Sequence, residues 1–401
     1  MKPRLLTITL ALTSIILATG SAQAASTQYW SANGTTQGGA GTWDTSSSRW
    51  GGTTALFPSA WVNANNDTAR FGGTAGTVTL GTSITVGGIW FDTTAYTIAN
   101  SSSTLTFGAT NNTVTLYGIA AATITGTVAG SGNNLTLATA DIPTLVGSSA
   151  LNCTLTLNGT STGGWSGTTT VNSGATLSLS GLNQGLLNTT GLTLNGGGIT
   201  LTSADSVAEN ALDRVNNSAA ITANGGTITY TTTTAASAKA FAETIGAITL
   251  TSGQLNLVES LNKTAGSQIL TIGASGSGNL TQSGTAAVTF SSGGSQTTLN
   301  QFVVTGASAT SAGSIIGPWA TIGTAATVQT DYANYNGSAQ VVSAAIAATA
   351  QTGWSTDNTA GTGTLNNTLA NAAGSAVNGR LTATRYINSV RNNSSLSLIH
   401  I

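Results

Sequence analysis

Leu-Thr-Leu-Asn-Gly stands at residues 155–159 and again at 192–196. Each copy belongs to a long series of similar pieces, in which three or four alternating apolar and small polar residues end in Gly or Asn-Gly. Others are TVTLG (77–81), STLTFG (103–108), NTVTLYG (112–118), ATLSLSG (175–181), GGITLT (197–202), GTITY (226–230), AITLTSG (247–253) and AAVTFSSG (286–293). Alternation with a period of two gives a strand with one buried and one wet face. Frequent turn residues keep such strands short. Short, similar strands sustained over this length predict a chain coiled into a stack.

Composition supports the stack. The 401 residues include 51 Gly, 10 Lys+Arg and 11 Asp+Glu. Only 5% are charged, against about 25% in an ordinary globular protein. Thr, Val and Ile are abundant and suit a pleated surface. Thr also offers a hydroxyl to a Thr in the next strand, whereas rows of like charge would repel. The net charge is −1. With no basic patch, nucleic acid is not an expected partner.

Residues 1–24 have the form of a secretory signal. Lys2 and Arg4 precede the apolar run LLTITLALTSIIL (5–17), and Ala22-Gln23-Ala24 forms an A-x-A cleavage site. The apolar run falls short of the roughly 20 residues that span a bilayer. Cleavage removes two basic residues and leaves eight against eleven acidic ones. The expected mature protein is exported, begins at Ala25 and has no membrane-spanning segment of its own. Cys153, the sole cysteine, cannot form an internal disulfide and reads as a small buried hydrophobe.

Five segments are expected. After the signal (1–24) comes a Trp-rich N-terminal cap over 25–76, containing Trp30, Trp43, Trp50 and Trp61. A solenoid's first coil lacks a neighbour, so large aromatics there cover an open core. The alternative is that these rings stack on sugars. Repeats fill 77–306. At 20–25 residues per coil they predict about ten coils, and at roughly 4.8 Å per coil a rod on the order of 50 Å. One helical signal, SADSVAENALDRV (203–215), places Asp205, Glu209 and Asp213 at every fourth position, a solvated helix edge near Arg214. A looser linking or capping segment follows (307–362). Residues 363–401 read as the start of a further, incomplete β module.

The stretch TLTLNGTSTGGWSGTTTVNSGATLSLSG (154–181) resembles the autotransporter-associated β-strand repeat, also called the passenger-associated transport repeat. Its elements are LTLNG (155–159), GGWSGTTTV (163–171) and GATLSLSG (174–181). Weaker likeness extends over WDTSSSRW (43–50), ALDRVNNSAAITANGGTITY (211–230), GPWATIG (317–323), DYANYNG (331–337) and YINSVRNNSSLSL (386–398). The resemblance implies an all-β chain, a right-handed parallel β-helix. It also implies display at the surface of a Gram-negative cell as the passenger of an autotransporter. Such a protein ends in a membrane β-barrel of alternating strands with aromatic girdles. No stretch of this sequence fits one, so outer-membrane association requires a barrel or another anchor outside it.

The search for chemistry returns no candidate catalytic, cofactor-binding or metal-binding residues. β-Helix lyases and hydrolases need converging carboxylates with basic residues nearby. The acids here are scattered: Asp44, Asp67, Asp92, Asp141, Asp205, Glu209, Asp213, Glu243, Glu259, Asp331 and Asp357. One Cys and one His, His400, cannot make a zinc site. GGTAG (72–76) and GASGSG (273–278) lack the Gly-Lys-Ser/Thr of a phosphate loop and read as turns. The sequence thus predicts a non-enzymatic exported scaffold without cofactor. A carbohydrate-binding adhesin contacting surface glycans or other cells is the first alternative, and a polysaccharide lyase or hydrolase the second.

Overall fold

The computed structural model describes residues 25–118, 120–140, 152–159, 164–181, 186–203, 213–260, 263–292, 299–309 and 315–343, and the strands Asn366–Leu369 and Ser389–Asn392. The signal (1–24) and the centre of the helical signal (204–212) lie outside the described residues. Of that signal's ends, Ser203 closes the strand Gly198–Ser203 and Val215 bridges Leu186.

Alternation in sequence becomes alternation in burial. Along Asn111–Tyr117 and Ala121–Gly130, every second residue is buried. The strands pair in parallel with the strand one coil on, so like positions stack into continuous rows. One inward row runs Ile98, Ile124, Leu157, Leu179, Leu201, each paired with the next and at most 1% exposed. On another face the outward row runs Thr113, Thr136, Thr170, Thr193, Thr222, Thr249, Thr281. Leu155, Leu157, Leu177, Leu179, Leu192 and Leu194 all join one continuous core. The chain is an all-β parallel β-helix.

Coil length departs from the sequence reading. Asn134 reaches back 23 residues to Asn111 but forward 34 to Thr168. Some strands also run longer than the short pieces expected, as Tyr96–Phe107 and Ala220–Thr232 do, which lengthens the coils. Fewer coils therefore fit between 77 and 306 than the ten expected. Corners use local devices. At Gly126 the register slips between Thr125 and Thr127. Gly126 has φ +102° and sits against Asn100, where no Cβ fits. The Asn100 Nδ2 donates to the Thr127 carbonyl at 2.7 Å and stitches that corner.

Antiparallel pairs are added near both ends of the stack. Near the start, Trp30 faces Trp50 in an antiparallel pair, and Trp50 bridges Ser59 antiparallel. Near the far end, Ala320–Ala325 pairs antiparallel with Val328–Tyr335, which pairs antiparallel with Val341–Ser343. These ribbons lie across the stack and occupy edges that would otherwise offer free N–H and C=O groups. Cys153 is fully buried, its thiol directed at the Gly118 carbonyl.

The interior rows set the energetics. Leu179→Ala is expected to cost ~2–5 kcal/mol, because the stack can collapse only partly around the void. Thr193→Ser on the outer row is expected to change stability by less than about 0.5 kcal/mol. Thermal or denaturant unfolding of the two variants measures the contrast.

Candidate functional site

The aromatic residues of the first coils face inward. Trp30, Trp43 and Trp50 are 0% exposed and Trp61 is 2% exposed. Their rings interlock with Phe71: Trp43 lies 4.8 Å from Trp50 and 5.0 Å from Trp61, and Trp50 lies 4.7 Å from Trp61 and 5.7 Å from Phe71. Tilted and edge-on contacts of this kind are favourable for rings. Trp30 and Trp61 direct their indole N–H groups to the carbonyls of Gly39 and Thr85. With their faces covered, these tryptophans cannot stack on a sugar, which removes Trp43 and Trp61 as the platform of the carbohydrate-binding alternative.

The surface of the same region holds two polar features. Arg70 lies between the rings of Trp90, 4.5 Å from its guanidinium, and Tyr29, at 5.3 Å. Asp92 clamps it through Nε at 2.8 Å and Nη2 at 3.0 Å. The hydrogen bond and charge of Asp92 hold the Arg70 cation. The sequence reading assigned this group no part, because its members come from three strands that meet only in the coil. Close by, Gln28, Ser59, Ala60, Trp61, Val62, Asn65 and Asp67 line a cleft of about 190 Å³. Asp67 anchors the start of the described chain by accepting from the N–H and hydroxyl of Ser26 at 2.6 and 2.8 Å. Val62 is 48% exposed at the cleft.

Among the described residues, the acids do not converge into one group. Asp44 closes a turn: against a burial penalty, the N–H groups and hydroxyls of Ser47 and Ser46 hold its carboxyl down to about 2. Asp92 serves Arg70, Asp67 serves Ser26, and Asp331 accepts from Ser343. Asp213 is exposed. Among the described residues, no group of three or more His, Cys, Asp or Glu is placed to hold a metal ion. Asp141, Asp205, Glu209, Asp357 and His400 lie outside the described residues.

Arg214 departs from the expected solvated edge, and two of the scattered acids lie in the interior. Arg214 is 0% exposed rather than beside a solvated edge. Its Nη1 donates to the Gly181 carbonyl and its Nη2 to that of Thr202 at 2.7 Å. Glu243, 1% exposed, accepts from the backbone N–H of Arg214 at 3.0 Å and of Val215 at 3.2 Å. Burial pushes its carboxyl up to about 8, and those N–H groups only partly oppose the shift. Glu259 is 0% exposed, and burial holds it well above the carboxylate range.

Comparison with known proteins gives one partial match. The chain is similar to the adhesin BmaC autotransporter of Brucella suis biovar 1 (strain 1330), with 49% identity over 114 residues. Over that segment it is related to an autotransporter. The match covers 27% of this chain and 3% of the length of that relative. No family profile matches the chain. No solved structure matches it. Among the described residues, no helix is long and apolar enough to cross a membrane.

Two predictions follow from the geometry. Trp43→Ala is expected to cost ~3–5 kcal/mol and to melt the first coils, because the rings of Trp50, Trp61 and Phe71 pack on that indole. Limited proteolysis at the N-terminal end reads that loss. Glu243 carries more proton in the folded chain, where it titrates at about 8, than in the unfolded one, where it titrates near 4.5. Its contribution is therefore fully present below that lower value and is lost as pH rises through the higher one. Melting temperature is expected to fall between about pH 5 and 8.5, and Glu243→Gln to lessen the fall.

Proposed function

We propose that this chain is an exported, surface-displayed structural segment, a passenger scaffold of an autotransporter-type adhesin built from passenger-associated repeats. The observation that carries the reading is the parallel coil stack together with the partial match to a protein named an adhesin autotransporter. The acids described above serve turns, anchors or the interior, which supports a non-enzymatic role without cofactor. The partners fitting this reading are surface glycans or other cells rather than nucleic acid. Outer-membrane association then depends on a barrel or another anchor beyond this sequence.

The test uses the intact gene product in its own cell. Antibody against the stack is expected to label intact cells, and protease added outside is expected to remove the label. Deletion of the segment is expected to reduce surface adherence. Label that appears only after the cells are broken would defeat the reading.

Carbohydrate binding is the second reading, and the cleft beside Val62 favours it. Amide, hydroxyl and carboxylate groups line the cleft beside the exposed Val62, polar groups of the kind that sugar hydroxyls bond, with an apolar contact supplied by Val62 rather than by a tryptophan face. Gln28→Ala and Val62→Lys are expected to abolish a glycan-array signal while leaving the melting temperature within about 2 °C. A signal that survives both changes places sugar binding elsewhere.

A further inference from the structure

The interior of the stack changes character along its axis. Its inward row of Ile98, Ile124, Leu157, Leu179 and Leu201 continues by register through Tyr230, Glu259 and Ser292. Glu259 therefore occupies a position that Leu fills in three earlier coils. Neither of its carboxylate oxygens has a hydrogen-bond partner.

The neighbouring strand supplies a matching need. Gln268, 0% exposed, extends its Nε2 to the Tyr230 carbonyl at 3.4 Å. That carbonyl also receives the N–H of Ser260, the residue after Glu259, at 3.3 Å. The carboxamide of Gln268 is thus tied beside Glu259. The Gln268 Oε1 has no donor, and neither has the Thr232 hydroxyl oxygen, two residues beyond Tyr230. Both Glu259 oxygens, the Gln268 Oε1 and the Thr232 hydroxyl are thus buried without a hydrogen-bond partner. An ionised carboxylate would be a buried, unpaired charge, the costliest arrangement available. A carboxylic acid brings a hydrogen that an amide oxygen can accept.

The surrounding titratable and charged groups are few. The Tyr230 phenol lies in the electrostatic range of Glu259, Glu243 and Arg214. Lys263, beyond the end of the Glu259 strand, stacks over Phe241 at 4.9 Å and donates to the carbonyls of Thr234 and Ser237. From the third face, the backbone amides of Gln301 and Leu270 act on Glu259 and are outweighed by burial. The next coil presents Ser291 and Ser292, which do not titrate.

We propose that Glu259 is a proton-operated latch in the solenoid interior. As the neutral acid it donates its hydrogen to the Oε1 of Gln268, tying the strand Ile248–Glu259 to the strand Ser267–Ile272. When the proton leaves to water, the tie is lost and the coils from Ala220 to Val304 loosen, while those from Trp30 to Leu201 stay closed. The apolar interior of the earlier coils holds no such group and has nothing to release.

Hydrogen exchange of the full chain, normalised for intrinsic exchange rates, tests this. Protection of residues 240–304 is expected to fall about tenfold or more between pH 6 and pH 9, with residues 68–201 unchanged as an internal reference. Because Glu243 titrates in the same coils, the Glu259 variants are made in a Glu243→Gln chain, which is itself expected to keep part of the dependence. There Glu259→Gln keeps an N–H donor for Gln268 and is expected to remove what remains. Glu259→Leu restores the residue of the preceding coils and is expected to do the same as Glu259→Gln, which provides a second variant should the first not fold. A pH-independent wild type, or a dependence that survives in the folded Glu259 variants, overturns the latch. Recovery of protection at pH 9 on adding calcium chloride would also overturn it, because a cation rather than a proton would then fill the gap.

Discussion

Register between successive coils is the constraint on which the rest depends. In a parallel stack each coil donates and accepts its backbone hydrogen bonds with the coils on either side, at a spacing of roughly 4.8 Å. A slip of one residue would turn every inward Leu outward and every outward Thr inward. The inward rows prevent that slip because each apolar residue packs on its counterparts in adjacent coils. Leu157 between Ile124 and Leu179 is the pattern in miniature. Outward positions then need only residues that tolerate close repetition, and Thr and Asn fill them. Asn195, for example, donates to Asn172 and accepts from Asn224.

A stack held by its neighbours is vulnerable where neighbours run out. At the N-terminal end, four tryptophans and Phe71 fill the core, and the antiparallel ribbon around Trp50 lies over it. The same rings that suggested a sugar platform are thereby consumed as structure. On the outside of this end, Arg70 joins Tyr29, Trp90 and Asp92 across strands, a rare charged cluster on a chain with so few charges.

The interior is not uniform, and its two halves hold together by different means. From Ile98 to Leu201 the shared inward row is apolar, the buried Thr169 and Thr189 bond one another, and stability comes mainly from area removed from water. Beyond Ser203 the core takes in Arg214, Glu243, Glu259, Lys263 and Gln268. Buried polar groups of this kind are costly unless satisfied, and they tie stability to proton concentration. The far half thus holds two buried carboxyl groups, Glu243 and Glu259, that burial pushes up.

Much of the fold was legible in the sequence. Period-two alternation named the inward residues, as with Leu155 and Leu157, because strand geometry alone sends alternate side chains to opposite faces. The turn residues marked where strands stop, as Gly118, with φ +67°, does after Asn111–Tyr117. Coil length was not legible, because it depends on connections such as the one between Asn134 and Thr168, whose span no local pattern encodes. Nor was the position of Arg214, Glu243 or Glu259. A charged residue in a polar-looking segment reads as solvated, and only the stacking of Glu259 on Tyr230, one coil away in space and 29 residues away in sequence, places it in the core. The sequence by itself determined which residues face inward, since that is a local property of the strand. The tertiary structure alone decided which inward residues meet, since that depends on how long each coil is before the chain returns.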